Sequence, residues 1–404
     1  MTTHRTAAGH RALLLLALAL ELAFAGALGG ARGGALGGLA APARAAQPAD
    51  ATAVELHGYA QLWWTVYEGA ENGLRQPVTQ EAAADHASGF LLRRARANGD
   101  FRVAGVRGRL GVRLEGSPIA LLDAYAIVPL RGEVAELWAG QMKIPSTYEI
   151  ETPSETLDFA TLGRFSEVAT DYALSRSPAL ASRLTGIRSC DRDLGVGVKG
   201  AVTTLRYFFM VGNGLGANRF IGGPSTRKEI YANAFGAYFY AARLAWRPLP
   251  MIELGGHASW NDHPNAVLDD RRTVLDIRRA SASADVHAAL AGRFELTAMY
   301  GAGRVEDDID NDGRTDYRYR GWEAKLIAQI LPGRLRAGLR YDAFAEESYD
   351  NGAEDILHTG TIGAAWFPRA GLRLQAEYQR NELESDTNPD RDDDLFLLTG
   401  QIIF

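Results

Sequence analysis

The residues best suited to chemistry in this chain are arginines that recur at every second position in two neighbouring segments. A guanidinium stays charged at any physiological pH and binds phosphate or carboxylate through a fork of N–H groups. A row of such groups predicts a surface along which small anions pass from one site to the next. The six arginines of this row are Arg94, Arg96, Arg102, Arg107, Arg109 and Arg113.

Further basic residues share the expected face with this row. Lys143, Lys199, Arg336 and Arg340 fall at the same parity of other segments and add positive charge to the same lining. Two readings remain open. The row favours anions, or nearby carboxylates pair with it and leave a mixed, weakly selective wall. The carboxylates available for that pairing are Asp100, Glu115, Asp123, Glu323 and Asp342.

A long segment, residues 145–190, offers a second place for charge. It exceeds ordinary connections between secondary-structure elements, which predicts a functional role. Arg164 and Arg176 lie within it together with Asp158 and Asp171. Folded inward it forms a charged constriction; the alternative is an outer lid or a contact with a neighbouring molecule.

The elements that carry these residues are predicted to be β-strands, because apolar and polar residues alternate with a period of two after residue 53. Leu335, Ala337 and Leu339 alternate with Arg336 and Arg340 in this way. In residues 90–103 the same pattern assigns Leu91, Ala95, Ala97, Gly99, Phe101 and Val103 to a lipid-facing side.

The connections predict the architecture. Very short turns alternate with longer polar segments, except at the short connection Glu115 to Pro118. This is the arrangement of an outer-membrane barrel with short periplasmic turns and long outer loops. The expected fold is therefore an all-β, antiparallel, transmembrane β-barrel of sixteen strands, with the segment after the fifth strand folded inward. The sixteen predicted strands are 54–67, 90–103, 106–116, 118–129, 133–144, 191–201, 203–212, 229–246, 251–261, 273–289, 292–303, 317–330, 334–346, 356–367, 371–382 and 393–404.

The two ends of the chain fit an exported barrel. Residues 1–46 begin with basic residues, continue as an apolar run and reach Ala43-Arg44-Ala45, which predicts a secretory signal peptide rather than a membrane anchor. Residues 47–404 form the barrel. The last strand presents Phe404, Ile402, Gly400, Leu398 and Phe396 on one apolar face, and we expect it to pair with the first strand and remove the free edge.

Composition excludes several classes of protein. The 404 residues carry a formal net charge of −6, which argues against nucleic-acid binding. A single cysteine, Cys190, excludes an internal disulfide framework. His257 and Ser259 share one face, but two polar residues on a polar wall are weak grounds for catalysis, so no enzymatic activity is predicted.

Four short motifs carry a resemblance to a known family. They are Phe90-Leu91-Leu92-Arg93-Arg94-Ala95-Arg96, Ala139-Gly140-Gln141-Met142-Lys143-Ile144-Pro145, Arg192-Asp193-Leu194-Gly195-Val196 and Val211-Gly212-Asn213-Gly214. Together they resemble the phosphate-selective porin O and P family. The resemblance implies a homotrimeric porin in the outer membrane of a Gram-negative bacterium, with Arg94, Arg96 and Lys143 in the pore wall. Segment 145–190 departs from the family because it contains no lysine.

The predicted function is passive diffusion of small hydrophilic solutes, with a preference for anions such as phosphate. The alternative is a non-conducting barrel that serves as a surface adhesin or a structural anchor. The expected partners are the lipid bilayer, lipopolysaccharide and small anionic solutes. The terminal aromatic Phe404 resembles the signal read by barrel-assembly machinery.

One acidic motif predicts a structural metal rather than a cofactor. Carboxylates at alternate positions followed by a glycine have the spacing of a calcium loop, although no helices flank them. The alternative is a solvated acidic turn. The candidate ligands are Asp308, Asp310, Asp312 and Asp316.

Overall fold

The computed structural model describes the chain as one barrel with gaps in several connections. The described residues are 53–69, 86–114, 119–167, 192–213, 238–267, 274–290, 292–307, 316–348, 352, 354–386 and 391–404. The predicted signal peptide, residues 1–46, lies outside them.

The described residues form sixteen strands, in agreement with the number read from the alternating pattern. They are β1 (Ala53–Gly69), β2 (His86–Val103), β3 (Val106–Arg113), β4 (Ala120–Pro129), β5 (Glu136–Lys143), β6 (Arg192–Val202), β7 (Leu205–Gly212), β8 (Phe239–Leu249), β9 (Ile252–Val267), β10 (Val274–Leu290), β11 (Phe294–Asp307), β12 (Asp316–Leu331), β13 (Leu335–Ser348), β14 (Glu354–Arg369), β15 (Leu372–Ser385) and β16 (Arg391–Ile403).

The strands close into an antiparallel barrel. Each strand pairs with its neighbours in sequence, and β1 pairs with β16. The prediction of a sixteen-stranded antiparallel barrel is confirmed. Because consecutive strands alternate in direction, the short connections gather at one end of the barrel, here called the turn end, and the longer ones gather at the opposite loop end.

Several strands run further toward the loop end than the pattern predicted. β9 continues to Val267 and pairs His263 with Ile277 of β10. The apolar alternation stops before these residues because the band that needs apolar side chains is shorter than the ladder of backbone hydrogen bonds. Periodicity detects the apolar band, so it underestimates the strand.

The outer surface of the barrel is apolar, as the alternation predicts. Phe396, Leu398, Ile402 and Phe404 of the last segment are all exposed on the outside. Aromatic side chains join this surface at two levels. Near the turn end stand Trp246 and Trp366, and nearer the loop end stand Tyr300, Trp322 and Tyr341. This is the arrangement of an apolar band between two aromatic girdles.

One part of the predicted outer face is wrong. The register between β1 and β2 shifts after Gln61, which pairs with Arg94, whereas Leu62 pairs with Leu92. The extra residue, Arg93, is a β-bulge, and a bulge reverses which side chains face inward. Leu91 therefore packs inside the barrel with the buried Trp63 and Leu397, while Phe90 and Leu92 face outward.

Part of the long connection after β5 contacts inward-facing side chains. Within residues 145–167 a short helix, α1 (Tyr148–Glu151), is capped by Thr147, whose hydroxyl accepts a hydrogen bond from Ile150 N. A second helical turn follows at 164–167. Residues 168–191 lie outside the described part. No helix among the described residues is long and apolar enough to cross a bilayer.

Candidate pore and its lining

The predicted row of arginines lies along one inner wall. The antiparallel register places Arg96 opposite Arg113, Asp100 opposite Arg109 and Arg102 opposite Arg107. Residues directly opposite in a ladder share a face. All six predicted arginines of β2 and β3 thus lie on the lumen side, because the bulge at Arg93 precedes them.

Two arginines of this wall carry carboxylate partners. The guanidinium of Arg109 donates to both oxygens of Asp100, at 2.6 and 2.9 Å. Arg107 pairs with Glu136 of β5. Asp100 also lies 3.2 Å from His57 Nε2. Arg102 and Arg107 would repel each other directly across the ladder, and the carboxylate of Glu136 relieves that repulsion.

The other arginines of the wall have polar partners or half-buried positions. Arg94 is buried, with Nη1 3.4 Å from Gln61 Oε1. Arg96 lies over the ring of Tyr59 and places Nη1 3.4 Å from Ser154 Oγ of the long connection. Arg102 and Arg113 are half-buried on the same face.

The opposite inner wall holds residues 145–167 in place. Arg373 donates to the carbonyls of Leu157 and Asp158, at 2.5 and 2.8 Å, and Gln375 donates to the same Asp158 carbonyl at 2.8 Å. Glu377 accepts from Ala160 N at 2.5 Å. These bonds satisfy main-chain groups that would otherwise be buried unpaired. A segment without regular structure thereby keeps one position inside the barrel.

Arg336 and Arg340 occupy a different place from the one expected for pore-lining residues. Arg340 donates to the Thr161 carbonyl at 2.7 Å and to its hydroxyl at 2.9 Å, and its side chain is fully buried. Arg336 Nη1 lies 3.2 Å from Asp158 Oδ1, and Lys325 Nζ lies 3.2 Å from Asp158 Oδ2. The alternation was read correctly, but residues 157–161 stand in front of these cations. Both arginines attach the connection to the wall, and Arg340 is completely shielded from water while Arg336 is only partly exposed.

Aromatic side chains of the same segment fit into spaces left by glycines. Phe165 is almost fully buried, and its ring occupies the volume where a Cβ on Gly301 would stand, 2.0 Å from Cζ. A Cβ on Gly321 would also contact the Phe165 side chain, at 3.0 Å. Glycine at both positions lets the ring pack against the strand backbone. Arg164 lies beside this contact; its backbone N–H donates to Asp342 Oδ1 at 3.0 Å.

Helix α1 faces the basic wall. Lys143, at the end of β5, donates from Nζ to the Ile150 carbonyl at 2.8 Å. Glu151 Oε2 lies 3.5 Å from Arg243 Nε. Burial raises the pKa of Glu151, and the neighbouring cations, Arg243 before Lys199, offset part of that rise.

A cavity of about 250 Å³ lies between α1 and the basic wall. We call it the lumen cavity. Among its lining residues the basic side chains outnumber the acidic ones, five to three. The basic ones are Arg96, Arg109, Lys143, Arg192 and Lys199, and the acidic ones are Asp123, Glu151 and Glu155.

Three of these charged residues had not been recognised from the sequence. Glu151 and Glu155 lie in a segment with no periodicity, so their direction had no signal. Arg192 donates to Asp123 Oδ1 at 2.8 Å, and both are buried. Its position at the start of β6, in a motif noted only for its family resemblance, could have marked it. Arg192 therefore belongs with the lining cations.

Several predicted site residues cannot be placed. Arg176 lies outside the described residues, as do Asp308, Asp310 and Asp312, and only the backbone of Asp316 is described, at the start of β12. In the described part of the chain no group of histidine, cysteine, aspartate and glutamate has the arrangement of a metal site. The calcium loop stays a prediction.

Comparison with known proteins shows the fold but no family. No protein-family model matches the chain, and no curated protein shows significant sequence similarity to it. Solved structures do match. The outer membrane channel DcaP of Acinetobacter baumannii is 15% identical over 87% of this chain and 97% of that chain, with a TM-score of 0.59.

Two further structures give the same result. The trimer form of OmpT, an outer membrane protein of Vibrio cholerae, is 9% identical over 88% of this chain and 100% of that chain, with a TM-score of 0.59. An anion-selective porin from Comamonas acidovorans is 12% identical over 88% of this chain and 100% of that chain, with a TM-score of 0.57. The barrel fold thus matches that of Gram-negative outer-membrane porins.

Proposed function

We propose that this protein is an outer-membrane porin through which small hydrophilic solutes diffuse, with a preference for anions. The observation that carries the proposal is the lumen cavity, where polar and charged side chains line a space beside a segment attached to the opposite wall. A sixteen-stranded barrel is too wide for its own side chains to fill. The segment 145–167 narrows it on one side and leaves the basic wall facing the remaining space.

The anion preference rests on the charges that border this space. Five cations face three carboxylates there, and Lys199 has no carboxylate within ion-pair distance among the described residues. A solute anion that loses water in a narrow space needs such groups to replace its hydration. Phosphate is one of the anions, together with carboxylates, that a fork of guanidinium donors binds through two hydrogen bonds. The anion selectivity of the Comamonas acidovorans protein, with its similar barrel, is consistent with this proposal.

The same proposal includes a homotrimer. The trimer form of the similar Vibrio cholerae barrel favours it. Chemical crosslinking in native outer-membrane vesicles would show a ladder ending at three copies; a ladder that ends at one would exclude it.

Planar-bilayer recording tests the channel. The purified full-length protein should form pores in planar bilayers. In a KCl gradient, the sign of the reversal potential should show that chloride is more permeant than potassium. Replacing Arg96, Arg109 and Lys199 together by glutamine should move the reversal potential toward potassium. The matched control replaces Arg278, Arg304 and Arg320, three exposed outward arginines, and should leave it unchanged.

Two outcomes contradict the proposal. A cation-selective wild-type pore would end the anion preference and leave a general porin. A correctly folded barrel without conductance would favour the alternative, a non-conducting adhesin or anchor. Folding is checked independently by the shift in gel mobility between boiled and unboiled samples.

A further inference from the structure

The lumen cavity contains a cluster of aromatic rings, which diffusion of inorganic ions does not require. The rings of Tyr125 and Trp138 stack at 4.9 Å between centroids, and Phe208 stands 5.9 Å from Trp138. All three line the cavity, and Tyr125 and Trp138 are only half-buried. Aromatic side chains on a wetted inner wall leave apolar surface in contact with water. Covering that surface with a solute removes it from water, which favours binding of the solute.

The rings are held in fixed positions. The indole N–H of Trp138 donates to Glu136 Oε2 at 3.3 Å, and the same carboxylate pairs with Arg107. Tyr125 is clamped against Trp138 on the neighbouring strand. Phe208 packs in a cluster of buried residues with Met142. A preformed, rigid surface binds a flat solute without first losing side-chain freedom.

A cation stands directly over these rings. Lys199 Nζ lies 5.1 Å from the Trp138 centroid and 5.2 Å from the Phe208 centroid. No described carboxylate lies within ion-pair distance of it, and the electron-rich ring faces are its nearest recorded partners. Such a cation is available to a carboxylate that arrives with the solute.

The neighbouring charges limit what fits. Arg109 and Arg192 lie on the same cavity wall, but both are already joined to carboxylates, Asp100 and Asp123. On the opposite side Glu151 repels a second negative charge. Lys199 and the rings therefore act together, at one place, on an anionic group attached to a flat ring.

We propose that Tyr125, Trp138, Phe208 and Lys199 form a binding site for small aromatic carboxylates inside the channel. The inference rests on the proposed function, since the site lies on the solute path. The carboxylate pairs with the Lys199 ammonium and the solute ring packs against Tyr125 and Trp138. Aromatic pairing of this kind strengthens binding by about two- to tenfold over an equally large aliphatic ring.

Block of the chloride current measures the site. Benzoate and cyclohexanecarboxylate have the same charge and almost the same size, but only benzoate has an aromatic face. In planar bilayers containing the full-length protein, benzoate should half-block the current at a concentration about two- to tenfold lower than cyclohexanecarboxylate does. Acetate, which has no ring, should block more weakly than both.

Variants separate the two parts of the site. Trp138→Leu and Tyr125→Leu should each bring the ratio of the two half-blocking concentrations toward one. Lys199→Gln should raise both concentrations and keep their ratio. Trp366→Leu, which replaces an exposed outward tryptophan, should change neither.

The outcomes distinguish this inference from the proposed function. A conducting channel that benzoate and cyclohexanecarboxylate block equally overturns the aromatic site and leaves the porin intact. A ratio that persists in both Trp138→Leu and Tyr125→Leu overturns the assignment of residues. A folded barrel that conducts nothing overturns both. Heat-dependent gel mobility shows that each variant is folded, and Tyr125→Leu carries the test if Trp138→Leu does not fold.

Discussion

Gly58 and Phe404 exchange both backbone hydrogen bonds, with Gly58 N 2.8 Å from Phe404 O and Phe404 N 3.0 Å from Gly58 O. The Phe404 ring also covers Gly58, where an added Cβ would stand 2.8 Å from the ring. The pair extends the ladder between β1 and β16 past its last strand residue, Ile403. It is the final contact of the seam that closes the barrel.

Deletion of Phe404 should lower the yield of folded barrel more than it lowers conductance. The deletion removes two backbone hydrogen bonds and the outer ring contact, but it leaves the lumen unchanged. The measurement is the fraction of outer-membrane protein that shows heat-dependent gel mobility. Phe404→Leu keeps the backbone bonds and should recover part of the yield. Equal yields with and without residue 404 would contradict this role.

Asp100→Asn should increase the preference for chloride over potassium. The substitution removes the carboxylate that holds Arg109 through two hydrogen bonds and leaves that guanidinium free to meet anions. A unit charge 4 Å away is worth about 1 kcal/mol in water, so the permeability ratio should rise by at most about fivefold. Reversal potentials measure it. Arg109→Gln should lower the ratio. A shift of the same sign in both variants would show that the charges of this wall do not set the selectivity for chloride.

Arg340→Gln should destabilise the barrel and loosen residues 145–167. The guanidinium is fully buried, bonds Thr161 twice and lies 3.4 Å from Asp342 Oδ2. Breaking a buried pair of this kind costs about 3–5 kcal/mol. Urea unfolding in detergent gives the free energy of unfolding. Noise in the single-channel current and the rate of protease cleavage report how mobile residues 145–167 are. Arg380→Gln, at an exposed outward arginine, should leave the stability almost unchanged. Equal effects of the two variants would exclude the anchoring role.

Gly301→Val should displace Phe165 from its place against the wall. A Cβ at this position would stand 2.0 Å from the ring. Rotation of the valine side chain does not move its Cβ, so no rotamer relieves the overlap with the Phe165 ring. Phe165→Ala should cost about 3–5 kcal/mol through the cavity it leaves. Phe294→Ala, an exposed outward aromatic, is the matched control. Because the ring is absent in Phe165→Ala, adding Gly301→Val to it should cost less than Gly301→Val alone; additive losses would show that the two sites do not interact.

Acidification should strengthen the anion preference through Glu151. Loss of hydration raises the pKa of this carboxyl above its ordinary value, so it becomes neutral at a higher pH than an ordinary glutamate does. Below that pKa the lumen cavity loses one negative charge, while the neighbouring Arg243, Lys143, Arg206 and Lys199 remain charged. The chloride-to-potassium ratio should therefore rise between pH 7 and pH 5.

Glu151→Gln provides the control for this pH dependence. The variant should show the higher ratio already at pH 7 and respond less to acid. An unchanged pH response in Glu151→Gln would assign the effect to another carboxyl, such as Glu155, which lines the same cavity.

The sequence by itself determined the barrel. Alternation with period two separates the outer face from the inner one because neighbouring side chains on a strand point to opposite sides. It identified all sixteen strands and the inward face of Arg96, Arg109 and their neighbours. It failed at Leu91, because the unpaired residue of a β-bulge reverses which side chains face inward, and the sequence pattern does not show that residue.

Only the tertiary structure decided which inward cations meet water. Arg109 and Arg340 have the same residue type, the same strand parity and the same alternating surroundings. The difference is what stands in front of each: Arg340 is covered by residues 157–161, whereas Arg109 borders the lumen cavity. Periodicity reports the face of a strand, but the position of an irregular segment depends on contacts between residues far apart in sequence. The anchoring of 145–167, the cavity it leaves and the aromatic cluster within it therefore had no signal in the alternation.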